Sequence, residues 1–350
     1  MLLAITVSYL LGKAALIGAI VAVSLGLAMY STWAERKVAA IMQDRVGPQR
    51  AGPFGLFQPL ADGLKLFMKE EIIPNFANKF LFVLAPGLAM VCALMSSAVI
   101  MWAPDYTMAD GTVYPFQVAD INVGILFVFG IVSLGVYGIM IGGWASNNKY
   151  SVMGSMRAAS QAISYELPMG LSLLALLMVT GDTSMRTIVQ QQDSFLHMNV
   201  WKQPLAFIIY LVCAFAELNR APFDMAECES ELVGGYHTEY SSMKLGFFLF
   251  SEYINMFISS VIMACLFFGG YHYPGMDWVQ AHAPQWVFVA TCILATISKG
   301  IAFILFIIFV RWTLPRFRYD QLMNLGWKSL IPLALLNLLI TCAVILKFFN

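Results

Sequence analysis

Long apolar segments dominate this sequence and limit the folds that are open to it. A helix needs about 20 mostly apolar residues to cross the hydrocarbon core of a bilayer. Eight candidate segments occupy residues 8–30, 80–102, 122–142, 163–180, 205–217, 245–269, 286–310 and 330–348. The fifth segment is short unless its helix extends to Trp201 and Leu218. Because backbone groups in lipid must bond to one another, the pattern predicts an all-α polytopic membrane protein with eight transmembrane helices.

Composition agrees with a membrane protein and excludes several other classes. The chain has 350 residues, of which 60% are hydrophobic and 11% charged, and its formal net charge is zero. An ordinary soluble domain carries about 25% charged residues. These values exclude a disordered chain, a collagen-like chain and a nucleic-acid binder, which would need a basic surplus. With no internal repeat and no linker, we expect one integral membrane domain over residues 1–350.

The distribution of basic residues predicts the orientation. Most lysines and arginines lie in the loops after the first, third, fifth and seventh segments, or at the adjacent helix edges. Basic loops stay in the cytoplasm. We therefore expect these loops to be cytoplasmic and both termini to lie outside.

The first basic loop predicts a helix in the membrane surface. Repeated glycine and proline break the chain near residues 47–55. After Pro59 the apolar residues fall on one helical stripe, and the polar residues fall on the other. The apolar stripe holds Phe57, Leu60, Leu64, Phe67 or Met68, and Ile72, and the polar stripe holds Asp62, Lys65 and Lys69. The pattern alone leaves open whether this helix only anchors the chain or also borders a site.

Three glutamates lie within or beside apolar segments. An ionised carboxylate there costs several kcal/mol, so Glu166, Glu217 and Glu252 must pair, contact water or bind a proton. If the fifth helix continues, Glu217 and Arg220 are i, i+3 neighbours and can pair.

A further acidic run follows the fifth segment. Glu227, Glu229 and Glu231 alternate with other residues, so they cannot share one helix face. In an extended loop all three would point the same way and repel one another. Such a group suits a proton relay or a cation-attracting vestibule, and it also suits a solvated acidic loop.

The sequence lacks the common motifs for metals and cofactors, and this limits the chemistry that the chain can carry out. The sequence contains no C-x-x-C pair, no G-x-G-x-x-G after a strand and no P-loop, and none of its histidines lies in an apolar segment. We therefore expect no metal site and no cofactor on this chain, so that any redox centre belongs to another chain.

Four loop motifs, taken together, resemble one family. They read ERKVAAIMQDRVGPQRAGPFGLFQPLADGLKL (35–66), NNKYSVMGSMRAASQAISYE (147–166), ELNRAPFDMAECESELVGGYHTEYSSMK (217–244) and LPRFRYDQLM (314–323). They are similar to the H subunit of bacterial respiratory complex I, the proton-pumping NADH:quinone oxidoreductase, whose mitochondrial counterpart is subunit 1. The resemblance covers nearly the whole chain.

The resemblance implies a location and a set of partners. The chain would lie in the bacterial plasma (inner) membrane as the foot onto which the peripheral arm docks. Its partners would be peripheral subunits B, C/D and I, membrane subunits A, J and K, the antiporter-like subunits and lipid. Quinone would be the substrate, and the iron–sulfur clusters and FMN would be on partner subunits.

The resemblance also implies roles for particular residues. Those lining or gating the quinone chamber would be Glu35, Arg36, Lys37, Arg45, Asp62 and Lys65. The residues of the acidic loop and of the charged path into the membrane arm would be Tyr165, Glu166, Glu217, Arg220, Asp224, Glu227, Glu229, Glu231 and Glu252.

Two other functions remain as alternatives. One is the equivalent membrane subunit of a membrane-bound hydrogenase or formate hydrogenlyase, which keeps parts of the glutamate loop. The other is a stand-alone proton or cation transporter. A transporter would favour inverted halves with paired broken helices, and the sequence has neither.

Overall fold

The computed structural model describes the backbone of residues 2–107 and 113–349 and the side chains of residues 10–107, 113–228 and 231–347. Most of this part of the chain is helical. The helices are α1 (Leu2–Met42), α2 (Gln58–Met68), α3 (Lys79–Met95), α4 (Gly124–Ala145), α5 (Lys149–Thr180), α6 (Met185–Gln190), α7 (Asn199–Lys202), α8 (Pro204–Glu217), α9 (Glu229–Leu232), α10 (Ser242–Phe267), α11 (Met276–His282), α12 (Gln285–Thr313), α13 (Tyr319–Asn324) and α14 (Ile331–Phe349). Strands β1 (Tyr106–Thr107) and β2 (Val113–Tyr114) pair antiparallel.

Seven helices in the described residues are long and apolar enough to cross a membrane. They are α1, α3, α4, α5, α10, α12 and the run Tyr319–Lys347, in which a π-helical turn, Leu325–Leu330, joins α13 to α14. The fifth predicted segment forms α8, which is apolar but has only 14 residues. The all-α polytopic fold is confirmed.

The helix bundle has two unlike ends. One end carries the four loop motifs, and we call it the motif end. The other carries the β1–β2 hairpin, and we call it the hairpin end. At the hairpin end Arg186 forms ion pairs with Asp105 and Asp120.

Helix α10 is the centre of the bundle. It packs against α1, α3 and α12, and its residues from Val261 to Phe267 are all buried. Helix α5 packs against α4, α8 and α14. The residues that sequence reasoning placed inside the membrane therefore meet between α10, α5 and α8.

The predicted amphipathic helix is confirmed as α2. Pro59 lies in its first turn, and Leu60, Leu64 and Phe67 leave their side chains exposed on one side. The helix ends at Met68, so Lys69 and Ile72 lie beyond it. Its polar side is fixed to α1, because the Arg36 guanidinium lies 2.7 Å from the Asp62 carboxylate.

The extended backbone that would point the three loop glutamates the same way is absent from the second half of the acidic run. Residues Glu229–Leu232 form the short helix α9, so the backbone there is not extended. Backbone N–H groups of Glu231 and Leu232 both donate to the Cys228 carbonyl, at 2.9 Å each. This turn separates Glu231 from Glu227.

Candidate functional site

A buried cluster at the motif end is built around Glu35. Its carboxylate, on α1, accepts hydrogen bonds from Arg220 at 2.8 Å and from the Tyr253 hydroxyl at 2.9 Å, and it is also paired with Arg311. The guanidinium of Arg220 lies 4.1 Å from the centre of the Tyr253 ring. This Glu35 cluster joins α1, the loop after α8, α10 and α12. Two arginines share one carboxylate, so the formal charge of the Glu35 cluster is positive.

Arg220 therefore does not have the partner that its sequence position predicted. Helix α8 ends at Glu217. The next residues turn, with Asn219 at a φ of 51°, and this turn carries Arg220 away from the helix axis. The expected Glu217–Arg220 pair was wrong because it assumed a continuous helix.

The other residues predicted for the quinone chamber lie nearer the surface. Arg36 and Asp62 pair between α1 and α2. Lys37 is half-buried, while Arg45 and Lys65 are exposed. The Arg45 guanidinium donates to Gln43 at 2.7 Å. The structure thus brings Arg36 and Asp62 together and places Glu35 in a separate, deeper cluster.

A cavity lined by both apolar and polar side chains lies deeper in the bundle, between α3, α4, α5, α8 and α10. We call it the carboxylate cavity, and its volume is about 80 Å³. Its polar lining consists of Ser96, Tyr210, Glu217, Asn219, Tyr236, Ser251, Glu252, Asn255 and Ser259. A water molecule needs roughly 10–15 Å³ of such space and several polar partners, so the cavity suits a short chain of waters.

The two carboxylates that line the cavity, Glu217 and Glu252, and the nearby Glu166 have distinct neighbours. Glu252 accepts a hydrogen bond from the Tyr236 hydroxyl at 2.8 Å. Glu166 accepts one from the Ser133 hydroxyl. The carboxylates of Glu166 and Glu217 are close enough to repel each other. The predicted glutamates therefore meet, although each comes from a different helix.

The acidic loop, residues 218–241, covers the cavity at the motif end. Asp224 is buried, and its carboxylate lies 2.7 Å from the Arg316 guanidinium. Glu227 lies 3.6 Å from His237. Glu231 pairs with Arg157 at 2.5 Å on the partly exposed surface. The side chain of Glu229 lies outside the described residues.

The surroundings of two groups of this loop raise their pKa. Burial raises the pKa of Asp224, and the nearby Glu227 carboxylate adds to this, while Arg316 and Arg311 oppose it. Burial, with Glu252 and Glu227, raises the pKa of Tyr236. Tyr236 therefore stays a hydrogen-bond donor to Glu252 at neutral pH.

Helix α5 holds the acidic loop in place. Its buried Gln161 donates to the Ala216 carbonyl at 2.6 Å and to the Phe223 carbonyl at 2.8 Å. Gly235 adopts a φ of +60°, and a Cβ there would lie 1.8 Å from the Ala226 carbonyl oxygen, so only glycine fits.

Tyr165, which is predicted to belong to the charged path, also contributes to the packing. Its hydroxyl donates to the Leu322 carbonyl at 2.9 Å, just before the π-helical turn. Its ring packs edge-on against Phe223 of the acidic loop. Tyr165 therefore lies between the loop and the last long helix.

Arg220 connects the two parts of the site. It bonds to Glu35 in the Glu35 cluster. Arg220 is also close enough to Glu252 for their charges to interact. The carboxylates of Glu227 and Asp224 lie close enough to interact with Glu252 as well. Charged groups therefore follow one another from α1 through Arg220 to the carboxylate cavity.

A family model described as NADH dehydrogenase matches residues 14–342. The chain belongs to this family. The NADH-quinone oxidoreductase H subunit of Flavobacterium johnsoniae is 58% identical over 340 residues, which cover 97% of each chain. The protein of the same name from Flavobacterium psychrophilum is 59% identical over 341 residues, 97% of this chain and 99% of the relative. An NADH-quinone oxidoreductase H subunit of Cytophaga hutchinsonii is 57% identical over 344 residues, 98% of this chain and 99% of the relative.

Family membership confirms the resemblance carried by the four loop motifs. With seven long apolar helices, it also identifies the chain as a multi-pass membrane protein and as a subunit of this oxidoreductase family.

Several residues of the site were missed by sequence reasoning. Gln161, Tyr253 and Arg311 each make contacts that hold the site together, but they come from distant parts of the chain. Their partners depend on packing, so local spacing carries no signal for them. Lys299 is different, because a lysine inside an apolar segment is as noticeable in sequence as Glu252.

Proposed function

We propose that this chain is the quinone-chamber and coupling subunit of a proton-translocating NADH:quinone oxidoreductase. The observation that carries the proposal is the position of Arg220, which bonds to Glu35 and also interacts with Glu252 beside the carboxylate cavity. One buried residue thus belongs to both the chamber side and the proton-path side of the site. The membership of the chain in the NADH dehydrogenase family supports the reaction.

The chamber lies at the motif end, between α1 and α2. Arg36, Lys37, Arg45, Asp62 and Lys65 border it together with Glu35. The exposed apolar side of α2 faces lipid, so this helix anchors the chain and also frames the way in for a lipid-soluble quinone.

Quinone reduction starts the coupling. A quinone that accepts two electrons also takes up two protons to become quinol. The charge near the Glu35 cluster changes during this step, and Arg220 transmits the change to Glu252. The carboxylates of the cavity and of the acidic loop then bind, release or pass on protons toward the antiporter-like subunits.

The remaining assignments follow from this role. The chain forms a single integral domain in the bacterial inner membrane. Peripheral subunits B, C/D and I cover the motif end and supply the iron–sulfur clusters and FMN, and membrane subunits A, J and K lie beside the bundle. Among the described residues, no group of three or more His, Cys, Asp or Glu side chains is arranged to hold a metal ion.

Purification through a tag on this chain tests the proposal against its alternatives. We expect a complex that contains flavin and iron–sulfur clusters and that reduces quinone with NADH. A complex that evolves hydrogen would favour the hydrogenase alternative. A chain that purifies alone and moves cations would favour the transporter.

The proposed orientation predicts the result of reporter fusions. Reporters fused after Gly55, Ser151, Ser230 and Asn324 should all report the cytoplasm, because basic loops remain inside. Activity of a periplasmic reporter, such as an alkaline phosphatase, at any of these sites would contradict the orientation.

A further inference from the structure

A lysine lies halfway along α12, where a charge is costly. Its Nζ donates to the carbonyl oxygens of Phe268 at 2.7 Å, Gly270 at 2.9 Å and His272 at 2.6 Å. An ammonium group has three N–H donors, whereas a neutral amine has only two. Three carbonyl acceptors at these distances match the three donors of the charged form of Lys299.

The three carbonyls belong to the chain just after α10. They include the C-cap residue of that helix, Phe268, whose own N–H donates to Ala264 at 3.0 Å. A cation stabilises the negative end of a helix dipole and satisfies its last carbonyls. None of the ion pairs found among the described side chains includes Lys299, so no carboxylate cancels its charge.

The Lys299 charge lies on the hairpin side of the α10 residues that line the carboxylate cavity. Ile258, Ser259 and Ile262 line the cavity on the α10 side. From Val261 to Phe267 every residue of α10 is buried. Ile262 precedes Phe268 by six residues, which is about 9 Å along a helix. On the α10 side of the cavity, a packed apolar segment and then a positive charge therefore lie toward the hairpin end.

The approach of α12 to α10 is also close at this point. A Cβ at Gly300 would lie 2.9 Å from a Val261 methyl group. Lys299 lies about 18 Å along α12 from Arg311, at 1.5 Å per residue. The two cations thus tie α12 to its neighbours at two different depths of the bundle.

We infer that the Lys299 ammonium is a fixed charge that closes the proton path toward the hairpin end of the bundle. The inference rests on the proton path of the proposed function. A path that carries protons sideways through the membrane must be insulated from the far side, or the gradient it builds is lost. A unit charge about 10 Å from a proton in transit slows its passage roughly tenfold at an effective dielectric constant of about 20.

Proton leak through the whole complex, reconstituted in phosphatidylcholine vesicles, tests the inference. The variants are Lys299→Gln and Lys299→Met, which remove the charge, and Lys299→Arg, which keeps it. After an acid pulse, the two neutral variants should leak protons about tenfold faster than the wild type. The arginine variant should leak protons at the wild-type rate. NADH:quinone turnover with an uncoupler should change less than twofold.

Asn199→Leu is the matched control. Asn199 donates to the Leu266 carbonyl at 2.9 Å, so the change loosens the same helix end and keeps the charge. It should not leak. The inference would be overturned if the two neutral variants leaked protons no faster than the wild type, or if the Asn199→Leu control leaked faster. Absence of both neutral variants from the membrane would also overturn it. Failure of the proposed function would instead appear as normal proton pumping by the Glu217→Gln complex, whatever the proton leak of the Lys299 variants.

Discussion

Replacing Glu35 with Gln should destabilise the chain more than any other single removal of a carboxylate. The side chain of Glu35 is 8% exposed and that of Arg220 is 4% exposed. The change leaves Arg220 and Arg311 without the carboxylate that pairs with both of them. Removing one partner of a buried ion pair costs about 3–5 kcal/mol. We expect low amounts of assembled complex and loss of quinone reductase activity at a lower temperature.

Glu231→Gln is the control for this prediction. Glu231 is also paired with an arginine, Arg157, but its side chain is 49% exposed. An exposed pair contributes about 0–1 kcal/mol. The two variants are compared by the temperature at which purified complex loses quinone reductase activity. Equal thermal stability would show that the Glu35 cluster is not the buried junction described above.

Much of the fold could be predicted from the sequence, because hydropathy and helical periodicity are local signals. The long helices and the amphipathic α2 follow from such patterns. Residue spacing along the chain did not predict the structure correctly where the chain turns. The end of α8 at Glu217, and the short helix α9, depend on how the loop packs against Gln161 and Gly154 of α5.

The candidate site was predictable in its residue types and not in its pairings. The cost of a carboxylate in lipid identified Glu166, Glu217 and Glu252 as a group. The partner of Arg220, by contrast, is Glu35, 185 residues away in the chain. Contacts at that separation are decided by the arrangement of whole helices. The same rule on intramembrane charges, applied to lysine, would have found Lys299.

Replacing Glu217 with Gln should remove most quinone reduction and proton pumping and leave assembly intact. Glutamine keeps the shape and hydrogen-bonding capacity of the side chain but cannot carry a proton. Because Arg220 pairs with Glu35, the change leaves no buried arginine without its partner. A positioned proton-transfer group contributes about 10²–10⁴-fold to a rate. We expect quinone reduction and pumping to fall together by about 10²-fold or more.

Glu70→Gln is the control for this second prediction. Glu70 is an exposed carboxylate at the motif end, after α2. Both variants should pass electrons from NADH to a soluble artificial acceptor at the wild-type rate, because the redox centres are on other subunits. Only the Glu217 variant should lose quinone reduction.

The most direct measurement is the pH gradient that the reconstituted complex builds with NADH and quinone. For the Glu217→Gln complex we predict wild-type electron transfer to the artificial acceptor, little quinone turnover and no measurable gradient. The Glu70→Gln complex should match the wild type in all three. A normal gradient with normal quinone turnover in the Glu217→Gln complex would contradict the proton path through the carboxylate cavity.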